Sequence, residues 1–254
     1  MIASAAIFPY NRLNSVWPEP HGESEAKCLI SRIMGWFTDP GQLLQGVVFV
    51  LPGILIGLTV HEWAHAFAAF KCGDPTAKNM GRMTLNPFAH LDPIGFLALL
   101  LVGFGWAKPV PVTTRNFRHF KRDDLIVSLA GITMNFLTAL VFMLLTYLLM
   151  ALIPSLRASS NYWYIMAEIV IVNLSLMVFN LIPIYPLDGS HVLENLLMSR
   201  APKFCLFLRN YGRYIMLACL IFGLFSYILS PLVDWFYSWM NALGQRLFLL
   251  IIGI

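Results

Sequence analysis

An apolar stretch from about Leu43 to Phe70 constrains this chain more than any other feature, because it is long enough to cross a bilayer yet contains His61-Glu62-Trp63-Ala64-His65. The flanks, Val-Leu-Pro-Gly-Ile-Leu-Ile-Gly-Leu-Thr-Val and Ala-Phe-Ala-Ala-Phe, suit lipid. Ionisable side chains in such surroundings are costly and mark function by default. On a helix, positions four apart lie one turn above each other, so the imidazoles of His61 and His65 can reach one metal ion. Glu62 follows on a neighbouring face, where its carboxylate can address a metal-bound water without occupying a coordination position. Soluble zinc proteases use this HExxH spacing.

Of the 254 residues, 58% are hydrophobic and only 12% charged, and the mean hydropathy is +0.70. A soluble domain carries about 25% charge, so the composition specifies a membrane protein. Apolar runs at about 43–71, 94–106, 125–153, 162–184, 206–230 and 235–254 predict an all-α polytopic fold with five to six membrane segments. The expected organisation is a polar tail over 1–42, a membrane core over 43–200 and further membrane segments over 201–254. The net charge of +4 is no nucleic-acid signal, because the basic residues sit in short loops between apolar runs. Cys28, Cys72, Cys205 and Cys219 form no CxxC pair and read as buried or interfacial thiols. Ile2–Phe8 is apolar but lacks a basic n-region and a cleavage site, so no signal peptide is expected.

Charge orients the runs. Residues 107–123 carry Lys108, Arg115, Arg118, Lys121 and Arg122 against Asp123, and residues 198–213 carry Arg200, Lys203, Arg209 and Arg213 with no acid. Both segments are expected on the cytoplasmic side, and the loop at 154–161, with Arg157 alone, on the other. The run at 94–106 is about 20 Å long as a helix, too short for a ~30 Å core. Basic residues on both sides favour a re-entrant element, with a thin tilted span as the alternative. The last run contains Arg246 and is either a span or an interfacial helix. His61 then lies roughly 15 Å deep, and Asn135 reaches a similar depth from the 125–153 run.

A second constellation, Asn180-Leu-Ile-Pro183-Ile-Tyr-Pro186-Leu-Asp188-Gly189, ends the fourth run. Two prolines three apart break the helix at membrane depth, where irregular backbone survives only inside protein or a water-filled cavity. Asp188 can complete a His-His-Asp metal site with the fourth position left to water. It can equally cap a helix starting at Gly189, and the two roles are compatible.

HExxH in one span and a downstream PLDG at the end of another resemble the site-2 protease family of intramembrane zinc metalloproteases, in its compact prokaryotic branch without a PDZ domain. The resemblance runs through Gly73-Asp74-Pro75-Thr76-Ala77, Gly81–Pro87, Asp92-Pro93-Ile94-Gly95, Gly105–Val112 and Ser128–Gly131 to Asn180–Gly189, over about residues 45–200. It departs at Gly131-Ile132-Thr133-Met134-Asn135, where the family commonly has Gly-Pro-x-x-Asn. The resemblance implies one zinc ion per chain held by His61, His65 and Asp188, with Glu62 as catalytic base. It also implies a re-entrant segment after the HExxH helix, and cleavage of a membrane-protein substrate in or near its transmembrane segment. The expected setting is a prokaryotic plasma membrane with the site toward the cytoplasm, and an adaptor or regulator protein as a further partner.

Asn135, at the depth of the motif, is expected to hold the substrate backbone or the developing oxyanion. A substrate helix must be unwound before hydrolysis, and Gly81–Asn86 and Lys108–Thr113 are the candidate backbone-binding edges, giving the re-entrant element partial β character. His119 reads as a solvated loop residue, and His191 as a neighbour of Asp188 with a smaller claim on the metal. Asn173 and Asn180 share a helical face: Asn173 reads as packing glue, while Asn180 is divided between packing and a cavity lining. Glu168 reads as a snorkelling or paired acid. Trp36, Trp106, Trp163 and Trp235 read as interfacial anchors. Two other classes fit parts of the pattern. A metal-ion transporter lacks a second His/Asp cluster leading across the membrane, and a catalytically inactive scaffold has no need of Glu62.

Overall fold

The computed structural model describes residues 40–102 and 105–253. The N-terminal tail up to residue 39, with Cys28 and Trp36, lies outside the described residues. Helix α1 (Pro40–Cys72) carries the HExxH motif and is followed by the short α2 (Thr76–Asn79), then α3 (Pro93–Val102). Helices α4 (Phe120–Leu152), α5 (Ser160–Leu181), α6 (Asp188–Leu197), α7 (Pro202–Ile221) and α8 (Leu224–Ile252) complete the described chain. Among the described residues, four helices are long and apolar enough to cross a membrane: α1 from Gly46, α4, α5 and α7. The protein is an all-α, polytopic integral membrane protein.

Helices α1, α4 and α5 pack on one another, and α8 lies across α4 and α5. Ile132, Ala139, Met143 and Tyr147 of α4 meet Val170, Leu174, Met177 and Val178 of α5 and Val233, Tyr237 and Met240 of α8. Tyr147 is held at its polar end, donating to Asn241 Oδ1 at 2.6 Å. Burying these side chains joins α4, α5 and α8, and the histidines of α1 lie against the other side of α4.

The α7–α8 boundary differs from the expected one. The sequence pattern places the break between runs 206–230 and 235–254. In the structure the break is at Gly223, whose φ of +69° is left-handed and terminates α7. Pro231 instead lies inside α8. Burial of the α8 face against the bundle offsets the lost proline N–H.

The 94–106 run is re-entrant. Asp92 caps α3, accepting from the N–H groups of Ile94 at 3.0 Å and Gly95 at 2.8 Å, with Pro93 at the first helical position. The helix is 10 residues long, about 15 Å. Leu91 and Ala107, on either side of it, pair in an antiparallel bridge, and Lys108 N–H donates to His90 O at 2.8 Å. A segment whose two ends are hydrogen-bonded to each other enters and leaves on the same side. Among the described residues this bridge is the whole of the β content, because Pro109 and Pro111 cannot donate to a ladder.

Candidate metal centre

His61, Glu62 and His65 are buried on α1. The spacing of His61 and His65 sets the two imidazoles edge to face, with centroids 4.6 Å apart and planes at 79°. The Nε2 atoms lie 3.0 Å apart, and Asp188 Oδ2 lies 3.2 Å from each. Tetrahedral zinc ligands at about 2.0–2.1 Å from the metal stand about 3.3–3.4 Å from one another. The three atoms are therefore within a few tenths of an ångström of the spacing one ion requires.

The opposite ring nitrogens fix the protons. His65 Nδ1 lies 2.8 Å from the Val127 carbonyl, which can only accept, so Nδ1 carries the hydrogen. His61 Nδ1 lies 2.7 Å from Asn135 Oδ1. The Asn135 amide nitrogen is turned to Gly57 O at 3.1 Å and Asn173 Oδ1 at 3.0 Å, so its oxygen faces His61 and accepts from Nδ1. Both Nε2 atoms then present bare lone pairs to each other and to a carboxylate. Asp188 Oδ2 is buried with no donor. Three converging lone pairs repel unless a cation lies among them, and two imidazoles with one carboxylate form a donor set suited to zinc.

Two glycines permit this convergence. A methyl group at Gly131 of α4 would lie 2.5 Å from both His61 Cε1 and His65 Nε2. One at Gly189 would lie 2.4 Å from Leu181 O and 2.7 Å from Ile182 O. Only glycine lets α6 start directly against the broken end of α5. Asp188 is the first residue of α6 and Leu187 its N-cap, with no side-chain capping bond. The carboxylate turns to the histidines instead of capping the helix.

Glu62 Oε2 accepts from the Val110 N–H at 2.8 Å. Val110 lies on the limb returning from the re-entrant helix and packs with Ala66 and Ala77. Charged groups anchor this limb at both ends. Arg82 Nη2 donates to Lys108 O at 2.7 Å and Pro109 O at 3.3 Å. Asp74, fully buried, accepts from Thr113 N–H at 2.7 Å, Asn116 Nδ2 at 2.8 Å, and both the N–H and hydroxyl of Thr76. Burial alone would raise the Asp74 carboxyl, but these donors hold it below its ordinary value of 3.8.

The expected site residues do not all stand alike. His61, His65 and Asp188 converge, and Glu62 adjoins them. Asn135 is fully buried with its oxygen on His61 and its nitrogen on two acceptors, so it has no free donor for a substrate. His191 Nδ1 is 3.8 Å from Asp124 Oδ1 and does not join the converging atoms. His90 is buried with Nε2 2.8 Å from Thr84 O, and His119 is exposed at the N-cap of α4. Asn180 bonds back to Leu176 O within its own helix. Gly131 enters the sequence reading only through the resemblance, Val110 only as part of the candidate edge Lys108–Thr113, and Asn173 only as packing on the face it shares with Asn180.

Buried HExxH imidazoles joined by an aspartate at a broken helix, within apolar helices, form a candidate metal centre in a membrane protein. The sequence matches Peptidase family M50 over residues 150–223. YwhC of Bacillus subtilis, named as a candidate zinc metalloprotease, is 37% identical over 186 residues, covering 71% of this chain and 84% of its own. Rip2 of Mycolicibacterium smegmatis, named in the same way, is 29% identical over 196 residues, covering 75% of this chain and 73% of its own. A zinc metalloprotease of Methanocaldococcus jannaschii is 24% identical over 76% of this chain and 48% of its own length. No solved structure matches. The chain belongs to peptidase family M50. It is an integral membrane zinc metalloprotease, with Zn2+ as its cofactor.

Proposed function

We propose that this protease is an intramembrane endopeptidase that hydrolyses a peptide bond in or beside a transmembrane segment of another membrane protein. The observation that carries the reading is the meeting of three ligand atoms at the spacing one ion requires, with Glu62 beside them, among helices suited to lipid. His61, His65 and Asp188 would hold one zinc ion per chain. When bound, zinc polarises a carbonyl and lowers the pKa of water toward ~7. Glu62 takes a proton from the attacking water and gives it to the leaving amine. The Val110 N–H holds Oε2, which leaves Oε1 for that transfer. Asn135 acts through His61 as a positioning residue, in place of the substrate-binding role its depth suggested.

The substrate must be extended at the site, because a helix hides its peptide groups in its own hydrogen bonds. Lys108–Thr113 is the edge we assign to it. Among the described residues, the carbonyls of Val110, Pro111 and Val112 have no protein partner, and the limb is fixed to Glu62 itself. Gly81–Asn86 supports that limb through Arg82 and is not the edge. The protease core comprises residues 43–200, with 201–254 as flanking membrane segments. Basic segments at 107–123 and 198–213 favour a site toward the cytoplasm, and the bacterial and archaeal relatives favour a prokaryotic plasma membrane. Substrate choice rests on helix instability or on an adaptor protein.

Membrane fractions from cells with the active enzyme and with Glu62→Gln, compared by proteomics, test the reading. Membrane proteins that stay full-length only with Glu62→Gln, cut within or next to an apolar span, are expected. Identical peptide profiles would overturn it.

A further inference from the structure

We infer that Asn173, on α5, is a positioning residue for the zinc site: it sets the amide orientation of Asn135 and, through it, the tautomer of His61. The inference rests on the metal centre proposed above. Both asparagines are fully buried, so water cannot satisfy whichever end is turned the wrong way.

The direction of the chain follows from backbone carbonyls, which only accept. Asn173 Nδ2 donates to Ile169 O at 2.8 Å, one turn back on α5. Its Oδ1 is therefore the end offered to Asn135. Asn135 Nδ2 has two hydrogens, and they go to Gly57 O on α1 and to Asn173 Oδ1. Asn135 Oδ1 is left for His61 Nδ1, and His61 Nε2 is left without a proton, 3.2 Å from Asp188 Oδ2. One sense of hydrogen bonding thus runs from the α5 backbone through three side chains to the ligand atom.

Reversing the Asn135 amide would set its oxygen against Gly57 O and Asn173 Oδ1 and its N–H against His61 Nδ1. His61 would then carry its hydrogen on Nε2, in the lone pair aimed at the metal position. Without the Asn173 oxygen, one of the two acceptors opposing that reversal is gone and one Asn135 hydrogen is unpaired. Packing glue between α4 and α5 requires no such polarity. A role in the tautomer does.

Zinc affinity of the metal-free, full-length protein in detergent micelles, measured by competition with a chromophoric chelator, tests this without any substrate. Asn173→Leu is expected to weaken zinc binding about tenfold, the low end for groups that orient a ligand. Asn173→Asp should stay within about threefold of wild type, since ionised or protonated it keeps an oxygen toward Asn135. If Asn173→Leu does not fold, Asn173→Ser replaces it with the same expectation, its hydroxyl being too short to reach Asn135. Wild-type affinity in Asn173→Leu or its replacement, or equal losses there and in Asn173→Asp, would overturn the inference. His61→Ala separates the two levels. Its binding zinc like wild type would remove the metal centre itself, whereas loss there with full affinity in Asn173→Leu would remove only the role of Asn173.

Discussion

Gly131→Ala sets two effects of opposite sign against each other. Alanine in a helix interior is favoured over glycine by about 0.8–1.0 kcal/mol, so propensity alone expects a more stable α4. The site expects the reverse. The new methyl group would lie 2.5 Å from His61 Cε1, 2.5 Å from His65 Nε2 and 2.6 Å from His61 Nδ1. Ordinary contact distances begin near 3.4 Å, so either the rings or α4 must give by about 0.9 Å. Metal–ligand distances tolerate only about ±0.2 Å. The rings cannot move without also breaking the bonds to Asn135 Oδ1 and Val127 O, both of which come from α4. Overpacking of this kind costs about 1–3 kcal/mol, which matches or outweighs the gain in propensity. The variant should therefore fold with a thermal midpoint near or below that of wild type, and elemental analysis after purification should find well under one zinc per chain. A full equivalent of zinc at wild-type affinity, with a raised thermal midpoint, would refute the reasoning: it would mean α4 does not approach the imidazoles as closely as the structure has it.

Other expectations follow from the same contacts. Asn135→Ala should weaken zinc binding about 10–100-fold, because it removes the acceptor that keeps the His61 hydrogen on Nδ1; chelator competition reads this directly, and an unchanged affinity with slowed cleavage would restore the substrate-binding role. Glu62→Gln should keep its zinc by elemental analysis and lose cleavage by ~10²-fold or more, since the amide cannot accept the water's proton. Asp74→Asn should lower stability near neutral pH by about 2 kcal/mol, because an ionised acceptor is lost from under several donors. Since the Asp74 carboxyl titrates below its ordinary 3.8 in the folded state, its contribution is fully present above that value and lost as pH falls through the lower one. Thermal midpoints of wild type should consequently fall more steeply than those of Asp74→Asn below about pH 4, and parallel curves would contradict the assignment.

Much of the architecture is written in local pattern. The apolar runs determine which segments become α1, α4, α5 and α7, because length and hydropathy are all that lipid selects. The i, i+4 spacing alone sets His61 beside His65, since helix geometry leaves no other option. Pro183 and Pro186 likewise ensure a broken helix ahead of Asp188. The α7–α8 boundary was not legible in this way: two breakers compete there, and burial of the α8 face decides that Gly223 ends a helix while Pro231 is carried inside one. The roles of side chains that act across the bundle were hidden for a different reason. Asn135 reads from sequence as a polar group at the right depth, but depth says nothing about which way an amide is turned. That is decided by Gly57 O on one helix and Asn173 on another, groups 78 and 38 residues away in the chain. Gly131 is an unremarkable small residue until α4 lies against the two imidazoles. Sequence determined what chemistry could be offered at each depth; only the packing of α1, α4 and α5 decided which atoms carry the protons, and so which are free to bind a metal.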